Sequence, residues 1–202
     1  MLRLPDEVRE EALAYAYEVF DRRRWEQVSA GERGAVFDEM VIDVGFSEPL
    51  RPFLTPAQMR VWLKDSAAKE YSRALEGIGP TARYTKRRYP GPDVIVRATL
   101  GNNWSVVPGS VEQKPMRCRA VNKSEQEATL TWGSYRGLRD LHWAASIARV
   151  SGEQRVAVVI TRPTMAALPA DQWARVESVC ALIGVDAFSV MYAPRAVAGP
   201  ER

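Results

Sequence analysis

The sequence predicts a mixed α and β protein, an α+β or α/β chain in which N-terminal helices precede a mixed sheet with flanking helices. Three observations carry this expectation. Apolar residues recur at helical spacing through roughly the first 80 residues. Beyond Ala82 the period shortens, and Pro and Gly punctuate the chain every few residues. Near the C-terminus a Val-Ala-Val-Val-Ile run, dense enough for a strand buried on both faces, lies between two helical patterns.

Taken in order, a first helix starts at Pro5, and Val8, Ala12, Tyr15 and Val19 form its apolar stripe. The basic run Arg22-Arg23-Arg24 suits its C-terminal end electrostatically. Ser29 with Glu32, and Thr55 with Gln58, have the spacing of capping boxes for two more helices. The later of these carries Met59, Leu63, Ala67, Tyr71, Ala74 and Ile78 inward and ends at Gly77, Gly79 and Pro80. Strands are then expected over 82–89, 93–100, 104–107, 111–121 and 128–132. Ser134 opens a helix closed by Gly152, 155–161 is a buried strand, Pro169 opens the last helix, and 186–192 is the last strand. This order divides the chain into a helical region over 1–54, a mixed core over 55–195 and a disordered tail over 196–202.

Composition narrows the function. Of 202 residues, 46% are hydrophobic and 26% charged, the balance of an ordinary globular chain. No apolar run is long enough to span a membrane, and the N-terminus lacks a signal peptide's apolar segment, so a cytoplasmic protein is expected. Cys118 and Cys180 are far apart and form no CxxC, which excludes a zinc ribbon; each is read as a packing residue. His142 is the only histidine, which excludes two-histidine metal sites within one chain, and no GxSxG elbow accompanies it.

The net charge of +3 is a weak pointer to an anionic partner, but the distribution says more. Arg83, Lys86, Arg87 and Arg88 fall within six residues, interleaved with Tyr84 and Tyr89, and Arg117, Arg119 and Lys123 follow. These seven are the candidate nucleic-acid contacts; the alternative is that they decorate solvated strand faces.

One constellation carries catalytic chemistry. Pro92-Asp93 opens an expected strand, and Glu112-Gln113-Lys114 begins nineteen residues beyond Asp93. Residues two apart in a strand share a face, so Glu112 and Lys114 would project together and Asp93 could meet them from the next strand. The pattern resembles the PD-(D/E)xK motif of the restriction-endonuclease-like nucleases. The expected order of elements over 56–161 resembles the αβββαβ core of that superfamily. The resemblance implies a Mg²⁺-dependent endonuclease that hydrolyses DNA phosphodiesters. Asp93 and Glu112 would hold the ion and Lys114 would orient the attacking water, with Glu70 or Glu76 as a further carboxylate.

Two other readings stand beside it. Segments 56–64 and 66–78 could form a helix-turn-helix, with the basic stretch as a wing, in a non-catalytic DNA-binding regulator. Against this, the apolar stripe runs through the proposed turn, as in one continuous helix. The third reading is a protein-interaction domain, with a homodimer left open. Trp62, Trp143 and Trp173 are expected in the core, as are Trp104 and Trp132, which could otherwise stack on bases. His142 is read as structural. Arg162, at a strand's carboxyl end, is a weaker candidate for a phosphate contact.

Overall fold

The structure, a computed structural model, describes residues 4–197. It is a mixed α+β protein with a five-stranded mixed sheet and a separate two-stranded one. The chain divides into two compact units. One contains the described residues up to Tyr89 together with those from Pro194 onward; the other is Pro90–Ala193. The boundary expected near residue 54 therefore lies at 89–90. The reason is packing: Met59, Leu63, Ala67, Tyr71 and Ala74 bury into the helical core and not against the sheet. Among the described residues, no helix is long and apolar enough to cross a membrane.

The first unit is built on α1 (Asp6–Arg23), α2 (Ala30–Ile42), the short α3 (Val44–Ser47), α4 (Pro56–Trp62) and α5 (Ala68–Leu75). Both expected capping boxes form, Ser29 with Glu32 and Thr55 with Gln58. The core centres on aromatic rings from α1 and α5: Tyr17 and Tyr71 meet edge to face at 5.2 Å, and Phe20 stacks on Trp25 at 4.4 Å. Between α4 and α5 the backbone stays helical through a π turn over Leu63–Ala67. The two helices are thus one rod with a bulge, and the helix-turn-helix is not formed. Leu63 and Ala67 are both fully buried, so the turn that motif needs would expose core side chains.

The strand expected over 82–89 is mostly absent. Pro80 opens a 3₁₀ turn over Pro80–Tyr84, and only β1 (Arg87–Arg88) is extended. It pairs antiparallel with β7 (Arg195–Ala196), so the expected disordered tail begins as a strand; 198–202 lie outside the described residues.

In the second unit, α6 (Pro92–Leu100) occupies the segment expected as a strand. Its Val-Ile-Val run has strand propensity. Pro92 in the first turn, acidic Asp93 beside it and Gly101 at φ 98° after the end are helix signals, and they prevail because Ile95 and Val96 pack under the sheet. The sheet follows in the order β2 (Trp104–Val106), β3 (Met116–Asn122), β4 (Glu127–Gly133), β5 (Val156–Arg162) and β6 (Asp186–Met191). β2, β3 and β4 form an antiparallel meander, whereas β4, β5 and β6 run parallel through α7 (Leu138–Val150) and α8 (Ala170–Leu182). The expected αβββαβ order is present, but its first helix is α6 and not the helix opened by Pro56.

Alternation sorts the sheet residues. Cys118, Ala120, Leu130, Trp132, Ala157 and Val159 bury with Ile95 and Val96 on one face. Val156, Val158 and Ile160 bury with Leu141, Ala145, Val176 and Cys180 on the other. There α7 packs on β4 and β5, and α8 on β6. Neither helix packs extensively on β3, where Arg119 is exposed and Arg117 and Val121 are half-buried on that side.

Candidate anion-binding site on the open sheet face

The exposed side of β3 carries Arg117 and Arg119. Register places them opposite Thr131 and Thr129 of β4, and as residues two apart on a strand they share one face, their backbones about 6.6 Å apart along it. A recess of about 240 Å³ opens here, lined by Ser110, Glu112, Arg117, Arg119, Thr129 and Glu153 among others. Its walls are held by local hydrogen bonds. Glu112 and Arg117 form an antiparallel bridge through both backbone amides, at 2.9 and 3.0 Å. The Arg119 backbone amide donates to Ser110 Oγ at 3.1 Å, and Ser110 Oγ donates to the Val107 carbonyl at 2.7 Å.

Electrostatics in the recess are mixed. Arg117 is ion-paired with Glu112 at 2.6 Å. Glu153, from the turn before β5, accepts a hydrogen bond from the Thr129 hydroxyl. Burial pushes the Glu153 carboxyl above its ordinary value, opposed by the positive charges of Arg117 and Arg119. Arg119 is exposed and makes no ion pair or side-chain hydrogen bond among the described residues. A perturbed carboxyl between two arginines in a cleft is a common feature of functional sites. The free guanidinium supplies the planar donor fork that oxyanions match.

The proposed catalytic trio is not brought together. Asp93 lies in the first turn of α6, on the sheet's other side, close enough to Cys118 to add to the burial that pushes that thiol up to about 12. Glu112 is on the open side, engaged by Arg117. Lys114 sits in the turn before β3 with φ 67°, not on a strand with Glu112, and lines a different recess with Met116, Trp132 and Trp143. The geometry fails because Asp93 is helical and because β3 begins at Met116, past the triplet. Glu70 pairs with Arg9 at 2.5 Å and Glu76 is exposed, both in the first unit. Asp93 and Glu112 therefore do not fit a shared Mg²⁺ ion. Among the described residues no group of three or more His, Cys, Asp or Glu side chains could hold a metal.

The first basic cluster is also redistributed. Arg87 forms a two-pronged ion pair with Glu26 at 2.6 and 2.9 Å, with side-chain exposures of 13% and 6%. Arg83 pairs with Glu10 at 2.8 Å and lies over the Tyr84 ring. Neither is available as a free phosphate contact. Lys86 and Arg88 remain exposed, and neither makes a side-chain ion pair among the described residues. Arg162 donates to the carbonyls of Met165 and Ala166 in its own loop, which removes it as a phosphate contact. His142 Nε2 meets the Val179 carbonyl at 3.1 Å, tying α7 to α8 as a structural residue. Trp104 and Trp132 are buried as expected, but Trp143 is 68% exposed. It sits on the outward side of α7, whose inward face is filled by Leu141, Ala144, Ala145 and Ala148.

Thr129 and Glu153 of the recess have no signature in the sequence. Their meeting depends on parallel pairing of β4 with β5, which places Thr129 beside Val156. No family model, curated protein or solved structure matches the chain.

Proposed function

We propose that this protein is a non-catalytic nucleic-acid-binding protein that contacts the phosphate backbone through the open face of the β3–β4 hairpin. Arg117 and Arg119 line the face, and Lys123 stands at its turn. The observation that carries the reading is Arg119: an exposed guanidinium in no ion pair or side-chain hydrogen bond among the described residues, sharing the recess with Arg117 and with Glu153, on whose carboxyl its charge acts. Phosphate contacts of this kind give affinity without base information and make binding fall with salt. Cleavage is not part of the reading, since the candidate metal carboxylates lie on opposite sides of the sheet.

Fluorescence anisotropy with labelled single- and double-stranded DNA and RNA tests it. Wild-type affinity should fall steeply with added salt. Arg119→Glu should weaken binding similarly for every sequence and lower the log–log salt slope by about one or more. Absence of wild-type binding at low salt, or an Arg119→Glu variant with unchanged affinity and slope, defeats the proposal.

A further inference from the structure

A second recess opens where β3 begins and β4 ends. Its volume is about 540 Å³, and its walls include Lys114, Met116, Trp132, Asp140 and Trp143. That volume falls within the roughly 300–1,000 Å³ of ligand pockets, whose walls are aromatic and apolar with a few polar groups. Of the six tryptophans, Trp25, Trp104 and Trp132 are buried, Trp62 and Trp173 are half-buried, and only Trp143 is exposed. A large ring that lines a recess and keeps most of its surface in water is a platform on which another ring can stack.

Charge decides what the occupant is. Lys114 and Asp140 both line the recess, and Asp140 is also paired with Arg139 at 3.0 Å, so an anion gains little there. A neutral planar ring gains the stacking surface and meets no unbalanced charge. The groups suited to an anion lie along the same strand: Arg117 directly follows Met116, and Arg119 is two residues further on, in no ion pair among the described residues. At about 3.4 Å per residue, Met116 and Arg119 are roughly 10 Å apart. A neutral ring and a row of phosphates within that reach describe a nucleic-acid strand with one base turned out. We propose that the recess takes an unstacked base of a single-stranded nucleic acid, laid on Trp143, while the β3 arginines hold the neighbouring phosphates. The inference rests on the phosphate-contact reading and adds the class of strand. In a duplex the bases are stacked on one another, so offering a ring to Trp143 costs unpairing and unstacking.

The test titrates the full chain with mixed-sequence single-stranded DNA of about a dozen nucleotides, and with the duplex of the same sequence. Single-strand binding should quench tryptophan emission. Trp143 is 68% exposed, so Trp143→Ala should leave the thermal melt unchanged. It should lower single-strand affinity about fivefold or more and leave duplex affinity and the salt slope as they were, because the phosphate contacts remain. Trp143→Phe keeps a stacking ring, so it should restore most of the affinity while losing most of the quench. Unchanged single-strand affinity in Trp143→Ala, or an equal loss for single strand and duplex, overturns this inference and leaves the phosphate-contact reading standing. A wild-type chain that binds neither DNA at low salt removes both. A recess that instead docks another protein would give the unchanged single-strand affinity.

Discussion

Arginine in this chain has two physical roles, and only environment separates them. Arg87 and Arg119 look alike in a basic sequence, yet Arg87 is the buried partner of Glu26 and Arg119 is free. Arg87→Ala leaves Glu26 uncompensated in a site where its side chain is 6% exposed. The expected loss is about 3–5 kcal/mol, read by urea denaturation, with the native variant's nucleic-acid affinity little changed. Glu112 gives an opposed pair of expectations. As a metal ligand its loss would abolish activity. As the partner of Arg117 its neutralisation in Glu112→Gln frees a guanidinium, so anion affinity should rise severalfold; a fall would restore the carboxylate to a binding role. Glu153 adds a pH dependence. Its folded value is raised by burial, so its ionisation opposes folding. The stability linked to its protonated form is present below the ordinary carboxylate range and is lost as pH rises through the raised folded value. Glu153→Gln should therefore gain melting temperature relative to wild type at pH 7 and lose that advantage at pH 4. An equal difference at both values removes the buried-charge account.

At the scale of elements, caps proved more informative than propensity. The boxes at Ser29 and Thr55 form as their spacing implies, because a hydroxyl and a carboxyl or amide three residues apart satisfy two otherwise unpaired backbone donors. Thr55→Ala should cost about 1 kcal/mol, measurable as a shift in denaturation midpoint without a change in slope. The segment 93–100 shows the limit of the opposite argument. Its β-branched residues favour a strand, and the helix forms because proline and glycine define its ends and its apolar side packs under the sheet. The π turn at Leu63–Ala67 is a similar case: a helix-turn-helix over 56–78 would need a break here, but buried Leu63 and Ala67 hold the rod together.

For the whole molecule, the division into two compact units has a measurable consequence. Leu13 and Leu130 are each fully buried, one in the helical core and one in the sheet core. Leu13→Ala and Leu130→Ala should each remove about 2–5 kcal/mol. Hydrogen exchange should show protection falling mainly over 4–89 in the first variant and mainly over 90–193 in the second. Loss spread evenly over the chain in both would mean that the units unfold as one cooperative body.

From local chemistry alone, the sequence determined the helical first part, the mixed class, the caps, the buried strand at 156–162 and the order of strands and helices from Trp104 onward. These follow from periodicity and turn residues, which act over a few neighbours. Tertiary structure decided the rest. It placed 56–75 in the helical core, turned 92–100 into a helix and carried Asp93 to the far side of the sheet from Glu112. It also brought Thr129, Glu153 and two arginines into one recess, since strand pairing joins residues more than twenty positions apart. Trp143 shows the same division: helical spacing placed it on α7, and only the packing of α7 on the sheet decided that it faces outward.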